Sequence, residues 1–433
     1  MRFIHPEAMD VYDDHSRALA EYERFRVRGL MLDMTRGKPS PEQLDLSSAL
    51  LELPGQDHLT ETGEDARNYG GLQGVPEARS LFAGVLGAPP SQVVVGNNSS
   101  LALMHDCLSY ALLKGVPGGS GPWTKEEPIA FLCPVPGYDR HFALCETYGV
   151  EMWSVALTGE GPDMDAVEAL VADPTVKGMW CVPQYSNPTG ETYSDGIVER
   201  LAAMHTAAQD FRLFWDNAYA VHHLSERPHK VANVLEACDR SGHPDRPLVF
   251  ASTSKMTFAG SGLAFLAASP ASVRWYLDHA GKRTIGPDKV NQLRHVRFLK
   301  DEAGLYRLME EHRRLLAPKF QAVADVLERR LAPAGVGRWT RPEGGYFMVL
   351  EVPDGTAKRV VELAKAAGLS LTPAGATHPY GRDPQDNTLR LAPSYPSVSE
   401  VEAAADGIAA CVLLAAAEAA LPSHGMTQLR RRA

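Results

Sequence analysis

Between about residues 76 and 270, short apolar runs alternate with stretches that read as helices, and this alternation constrains the fold more than any other feature. Val93-Val94-Val95, Ile129 to Cys133, Met179 to Pro183, Leu213 to Trp215 and Leu248 to Ala251 are too short for packed helices and suit buried strands. Between them lie helical stretches: Pro76 to Leu86, Leu101 to Leu113, and one with Ile197, Leu201, Met204 and Ala208 on a single face. The pattern predicts an α/β fold, a parallel sheet covered by helices on both faces. Residues 7 to 28, with Tyr12, Leu19, Tyr22 and Phe25 among charges, predict an N-terminal helical arm, followed by a short strand and turn from Leu32 to Pro39. From about residue 300 a long helix (Tyr306 to Leu331) precedes strands at Phe347 to Val352 and Leu389 to Ala392, which predicts a smaller α+β domain. The expected division is 1–50 as arm and part of the small domain, 51–300 as the large domain, and 301–433 as the C-terminal small domain.

Open α/β sheets bind ligands outside the carboxyl ends of their strands, so the residues just after the apolar runs carry the functional signal. After Leu248 to Ala251 come Ser252, Thr253, Ser254 and Lys255: two hydroxyls for an anion, and an amine that becomes nucleophilic when desolvated. Upstream, Asn187-Pro188-Thr189-Gly190 follows one run and Asp216-Asn217-Ala218-Tyr219 follows another. Asn98, Ser99 and Ser100 stand where a helix begins. Small polar residues there make good N-caps, and the same geometry offers free N–H groups to a phosphate. Tyr138, Arg140 and His141 sit in a Pro/Gly turn, Gly37 follows Arg36 in another, and Arg390 lies on the strand near residue 390. The Asn68 to Gly74 loop is glycine-rich but matches neither a Walker loop nor the dinucleotide fingerprint. Each feature alone is ordinary, since N-P-T-G makes a common turn and a strand arginine a common ion pair. Their joint order and spacing carry the argument.

A net charge of −10 argues against nucleic acid or an anionic membrane as partner. Six cysteines without regular spacing point away from metal and disulfide frameworks and towards a reducing cytoplasm. No secretory signal is read at the N-terminus. The most apolar run, Ile408 to Ala417, is well short of the ~20 residues that span a bilayer and reads as a packed C-terminal helix.

These motifs, taken with the S-T-S-K-M-T-F-A-G stretch and the N-T-L-R-L-A-P-S-Y-P ending, resemble the fold type I pyridoxal-phosphate enzymes, class I/II aminotransferases. They are most similar to the aspartate aminotransferase subgroup related to MocR-type effector domains. The resemblance covers nearly the whole chain and implies a mostly parallel seven-stranded sheet with a smaller domain, and pyridoxal 5′-phosphate as cofactor. By it, Lys255 matches the Schiff-base lysine and proton carrier, and Asp216 the carboxylate on the pyridine nitrogen. Tyr219 and Asn187 match the donors to the phenolic oxygen, and Tyr138 the ring that stacks on the cofactor with His141 close behind. Asn98, Ser99, Ser100, Ser252 and Ser254 match the phosphate site, and Tyr69 the tyrosine that reaches the phosphate in the neighbouring subunit, which implies a homodimer with shared sites. Arg390 matches the clamp on the substrate α-carboxylate. Gly37, Asn187, Arg140 and Arg36 are expected on the substrate side, and Arg283 is a further option for a distal carboxylate. One departure is plain: eight residues after the lysine, where many relatives carry a phosphate-binding arginine, stands Leu263.

The activity implied is ping-pong exchange of an amino group between an L-amino acid, with aspartate preferred, and a 2-oxo acid, 2-oxoglutarate. An aromatic or kynurenine aminotransferase and a C–S lyase share every cofactor residue and stand as alternatives. A MocR-type sensor is disfavoured, because only about 30 residues precede the Arg36 turn and they are not strongly basic.

Overall fold

The computed structural model describes residues 11–421 apart from 127 and 227, and a seven-stranded sheet lies at its centre. We number its strands β1 (Val93–Val95), β2 (Ala130–Val135), β3 (Glu151–Ala156), β4 (Val176–Cys181), β5 (Arg212–Asp216), β6 (Pro247–Ser252) and β7 (Ala264–Ala268). In space they run β1-β7-β6-β5-β4-β2-β3. The five from β6 to β3 pair in parallel, and β7 runs antiparallel to both neighbours. The expected mostly parallel sheet is therefore present, and β2, β4, β5 and β6 deliver their carboxyl ends to one edge.

Uniformly apolar runs became strands buried on both faces because successive side chains point to opposite sides. Leu213 and Trp215 pack into the core on one face and Phe214 into the core on the other. Val249 and Ala251 likewise oppose Leu248 and Phe250. Edge strand β3 had no such run, since Glu151, Ser154 and Ala156 are exposed. The helix expected through Ala208 closes earlier, at Asp195–Ala203. Arg246 Nη1 donates to the carbonyls of Leu201 (3.1 Å) and Ala202 (2.8 Å), satisfying last-turn acceptors and leaving Met204 and Ala208 buried in the following loop.

A second core gathers residues from both ends of the chain. The helix Val11–Arg26 contributes Ala18, Tyr22 and Phe25; residues 7 to 10 of the expected arm lie outside the described residues. The strands Met348–Glu351 and Thr388–Leu391 and the helix Val398–Ala420 complete it. Gly407 on that helix is required by contact, because a Cβ there would lie 2.2 Å from the Phe25 ring. Val398–Ala420 is long and apolar enough to cross a membrane by length and composition, yet it packs in this core against Val11–Arg26 and the long helix Glu302–Leu331. The long helix spans both cores: Leu305, Leu308 and Met309 pack against the sheet, while Phe320 to Leu331 belong to the second core.

Candidate active site

A cavity of about 230 Å³ opens at the sheet edge where β2, β4, β5 and β6 end. Each strand places one residue there: Tyr138 follows β2, Asn187 follows β4, Asp216 ends β5 and Lys255 follows β6. Tyr219, Ser100, Gly37, Arg140, Arg390 and Phe347 also line it. Residues scattered over more than 300 positions in sequence thus meet in one cleft, where open α/β sheets hold ligands.

Lys255 Nζ sits 4.8 Å from the centre of the Tyr219 ring. Loss of hydration holds its pKa below the ordinary lysine value, and the Asp216 charge pulls the other way. Asp216 is buried, and its Oδ2 lies 3.1 Å from His141 Nε2. His141 is fixed by stacking on Trp180 at 4.3 Å and 9°. Asp216 Oδ1 has no partner among the described residues, and neither does Asn187 Oδ1. A buried carboxylate with one braced and one open oxygen suits a protonated ring nitrogen. Burial raises the phenols as well, Tyr138 to about 12 and Tyr219 well above its ordinary value, so both remain hydrogen-bond donors at neutral pH.

The helix Ser100–Lys114 starts at the cavity, with Ser99 as N-cap: its Oγ accepts from the Ala102 N–H at 3.1 Å. Ser254 Oγ donates to the Asn98 carbonyl at 3.2 Å, and the Asn98 amide donates to Gly260 O at 3.1 Å, which ties the helix start to the lysine turn. Ser252 closes β6 and is buried. Leu263 packs into the sheet core, so no cation enters from that position. The cationic residues among the described lining are Arg140, Lys255 and Arg390. A desolvated amine, an open carboxylate oxygen, phenol donors and a helix N-terminus form a donor set that fits pyridoxal phosphate.

Arg390 Nη1 donates to Asp139 Oδ1 at 3.1 Å, its guanidinium lies 5.1 Å from the Phe347 ring centre, and its buried Nε has no partner among the described residues. Gly37 is required by contact, since a Cβ there would lie 2.0 Å from Phe347 Cζ. Arg140 lines the cavity from an exposed position. Of the expected phosphate-site residues only Ser100 lines the cavity; Asn98, Ser99, Ser252 and Ser254 lie outside its lining, as do Arg36, Arg283 and Tyr69. Arg36 pairs with Asp33 at 2.7 Å, Arg283 pairs with Asp106 at 2.7 Å, and Tyr69 is 80% exposed.

Sequence reading missed a buried network beneath the lysine turn. Gln43 Nε2 donates to His312 Nδ1 (2.8 Å) and to Tyr346 Oη (2.9 Å). Tyr346 donates on to the Lys255 carbonyl (3.2 Å), and His312 Nε2 donates to the Met256 carbonyl (2.8 Å). The carbonyl acceptor sets the His312 tautomer, and every donor in the chain has one acceptor.

The profile of the family described as aspartate amino-transferase matches residues 7–424. A putative aminotransferase from Mycolicibacterium smegmatis is 53% identical over 416 residues, 95% of this chain and 97% of that protein. An aspartate aminotransferase from Corynebacterium glutamicum is 50% identical over 405 residues, 93% of this chain and 94% of that protein. The solved structure of an aspartate transaminase from Corynebacterium glutamicum superposes with a TM-score of 0.94 at 48% identity, covering 96% of this chain and all of that one. With the family profile and these relatives matched almost end to end over a shared fold, the chain belongs to the aspartate amino-transferase family and is an aminotransferase of fold type I.

Proposed function

We propose that the enzyme exchanges an amino group between aspartate and 2-oxoglutarate by a ping-pong route, with pyridoxal phosphate held on Lys255. The observation that carries the reading is the desolvated Lys255 amine, set in one cavity with the open oxygen of Asp216 and with Arg390. The 50% identical relative named as an aspartate aminotransferase supports the substrate. Pyridoxal phosphate, when bound, supplies a carbonyl for amines and a ring that accepts the electron pair left when a Cα–H bond breaks. The residues of the chain do the rest.

Lys255 Nζ would anchor the cofactor and, when free, carry the proton from Cα, and burial, which lowers its pKa, favours the neutral amine that this needs. Asp216 holds a proton on the ring nitrogen, with His141 bracing its other oxygen. Tyr219 and Asn187 would donate to the cofactor's phenolic oxygen, and Tyr138 would pack against its ring. Ser100, with Asn98, Ser99, Ser252 and Ser254, receives the phosphate at the helix N-terminus. Arg390 takes the substrate α-carboxylate, for which a planar two-pronged donor is suited, and Gly37 and Asn187 close that side. The exposure of Tyr69 supports a homodimer in which it serves the partner's phosphate site. Six buried free thiols support a cytoplasmic setting.

Borohydride reduction of the yellow protein followed by peptide mapping tests the anchor: label on Lys255 is expected, and label on another lysine overturns the assignment. Mixing with aspartate should bleach the visible absorbance without releasing ammonia. Release of a thiol, pyruvate and ammonia from cystathionine without an added 2-oxo acid would identify a C–S lyase instead.

A further inference from the structure

A second cavity, of about 290 Å³, lies at the opposite edge of the sheet, where β5 and β6 begin. Arg212 opens β5 and Arg246 immediately precedes β6, so the strands that carry Asp216 and Ser252 at one end carry a guanidinium at the other. At ~3.3 Å per residue the two ends of β5 are roughly 13 Å apart, which makes this cavity distinct from the catalytic one.

Both arginines are buried, Arg212 to 2% and Arg246 to 5% exposure, and neither makes an ion pair among the described residues. Arg212 Nη1 donates to Phe211 O at 3.0 Å and its Nη2 to Pro117 O, while Arg246 reaches only the carbonyls of Leu201 and Ala202. Carbonyls satisfy N–H groups but do not neutralise a charge. Arg212 Nε, fully buried, has no partner at all among the described residues. The lining holds two guanidiniums against one carboxylate, Asp245, which already accepts from the Ser269 hydroxyl. Loss of hydration lowers the Arg212 pKa to about 10 and neighbouring Arg246 adds to this, while Asp245 and Asp210 pull the other way without forming an ion pair with it, so it remains charged at neutral pH. A buried charge without a partner is destabilising, and a counter-ion relieves it. His205, Thr206, Gln209 and His243 add polar groups at the rim.

We propose that this cavity is a second binding site, for a small molecule carrying a phosphate or carboxylate group that engages Arg212 and Arg246. A planar guanidinium suits the oxygens of such a group, and about 290 Å³ leaves room for more than a bare ion.

Equilibrium dialysis tests this on holoenzyme whose cofactor has been fixed by borohydride, in an Arg390→Ala background so that the catalytic clamp does not contribute. Inorganic phosphate and succinate serve as separate probes at constant ionic strength. Expected is one bound anion per chain beyond the cofactor, with affinity reduced about ten- to a hundredfold by Arg212→Met. Preference for phosphate or for succinate then assigns the head group. Gln209→Ala and His243→Ala at the rim should weaken binding a few-fold, and they decide the matter if Arg212→Met does not fold. Absence of binding by both probes overturns the proposal, as does binding that Arg212→Met, or both rim variants, leave unchanged.

Discussion

The Tyr346 hydroxyl donates to the main-chain carbonyl of Lys255 at 3.2 Å and itself receives the Gln43 amide at 2.9 Å. Both partners are fully buried and come from outside the sheet, so residues of the flanking segments set the position of the lysine turn. Tyr346→Phe removes both hydrogen bonds, each worth about 0.5–1.5 kcal/mol, with little change in shape, and leaves the Gln43 amide its His312 acceptor. It should lower kcat about three- to tenfold at nearly constant KM and shift the pH titration of the bound cofactor's absorbance. Steady-state kinetics with that titration check it; unchanged values for both would mean the turn holds its place unaided.

Arg390 and Arg140 should separate by substrate. Arg390→Lys loses the two-pronged contact with the α-carboxylate and should lower kcat/KM about ten- to a hundredfold for every amino acid. Arg140 lines the cavity from an exposed position, and we propose it as the partner of a distal carboxylate. Arg140→Ala should reduce kcat/KM for aspartate by a similar factor and leave alanine nearly unaffected. Equal losses for the two substrates would make Arg140 structural.

Tyr69 is 80% exposed and does not line the cavity of its own chain, and we propose that it serves the partner's site. Mixing Tyr69→Phe subunits with Lys255→Ala subunits should restore one competent site per mixed dimer, measured as activity regained above either parent. An unambiguous monomer by sedimentation at assay concentration would exclude the sharing.

His295 and His312 brace the segment after Lys255 through Thr257 Oγ1 (2.9 Å) and Met256 O (2.8 Å), and burial lowers both pKa values to about 4. A histidine kept neutral in the fold but free to protonate when unfolded contributes stability that is whole above pH 6.5 and lost as pH falls towards 4. Each should cost about 2 kcal/mol at pH 5. Thermal unfolding should therefore show Tm dropping steeply between pH 7 and 5, with a shallower slope in His312→Gln. A slope identical to that of the parent would remove His312 from this account.

The aminotransferase family was legible in the chain alone because its chemistry sits just after strands, and uniformly apolar strands announce themselves. Lys255, Asp216, Asn187 and Tyr138 each follow or end such a run, and all line one cavity. A buried parallel strand needs apolar side chains on both faces, so its ends can be read locally. Edge strand β3, whose buried Met152 and Val155 are interrupted by exposed residues, left no such trace. The partners that hold the site depend on distant segments meeting. His141 reaches Asp216 only because β2 and β5 end on the same edge, and Gln43, His312 and Tyr346 converge on the Lys255 turn from three separate segments. The sheet register sets Arg212 and Arg246 side by side, with Asp245 the one carboxylate in the lining of their cavity. Local spacing determines which residues are strand ends; which polar groups are paired or left open is decided by packing, because hydrogen bonds and desolvation act over a few ångströms and not over sequence separation.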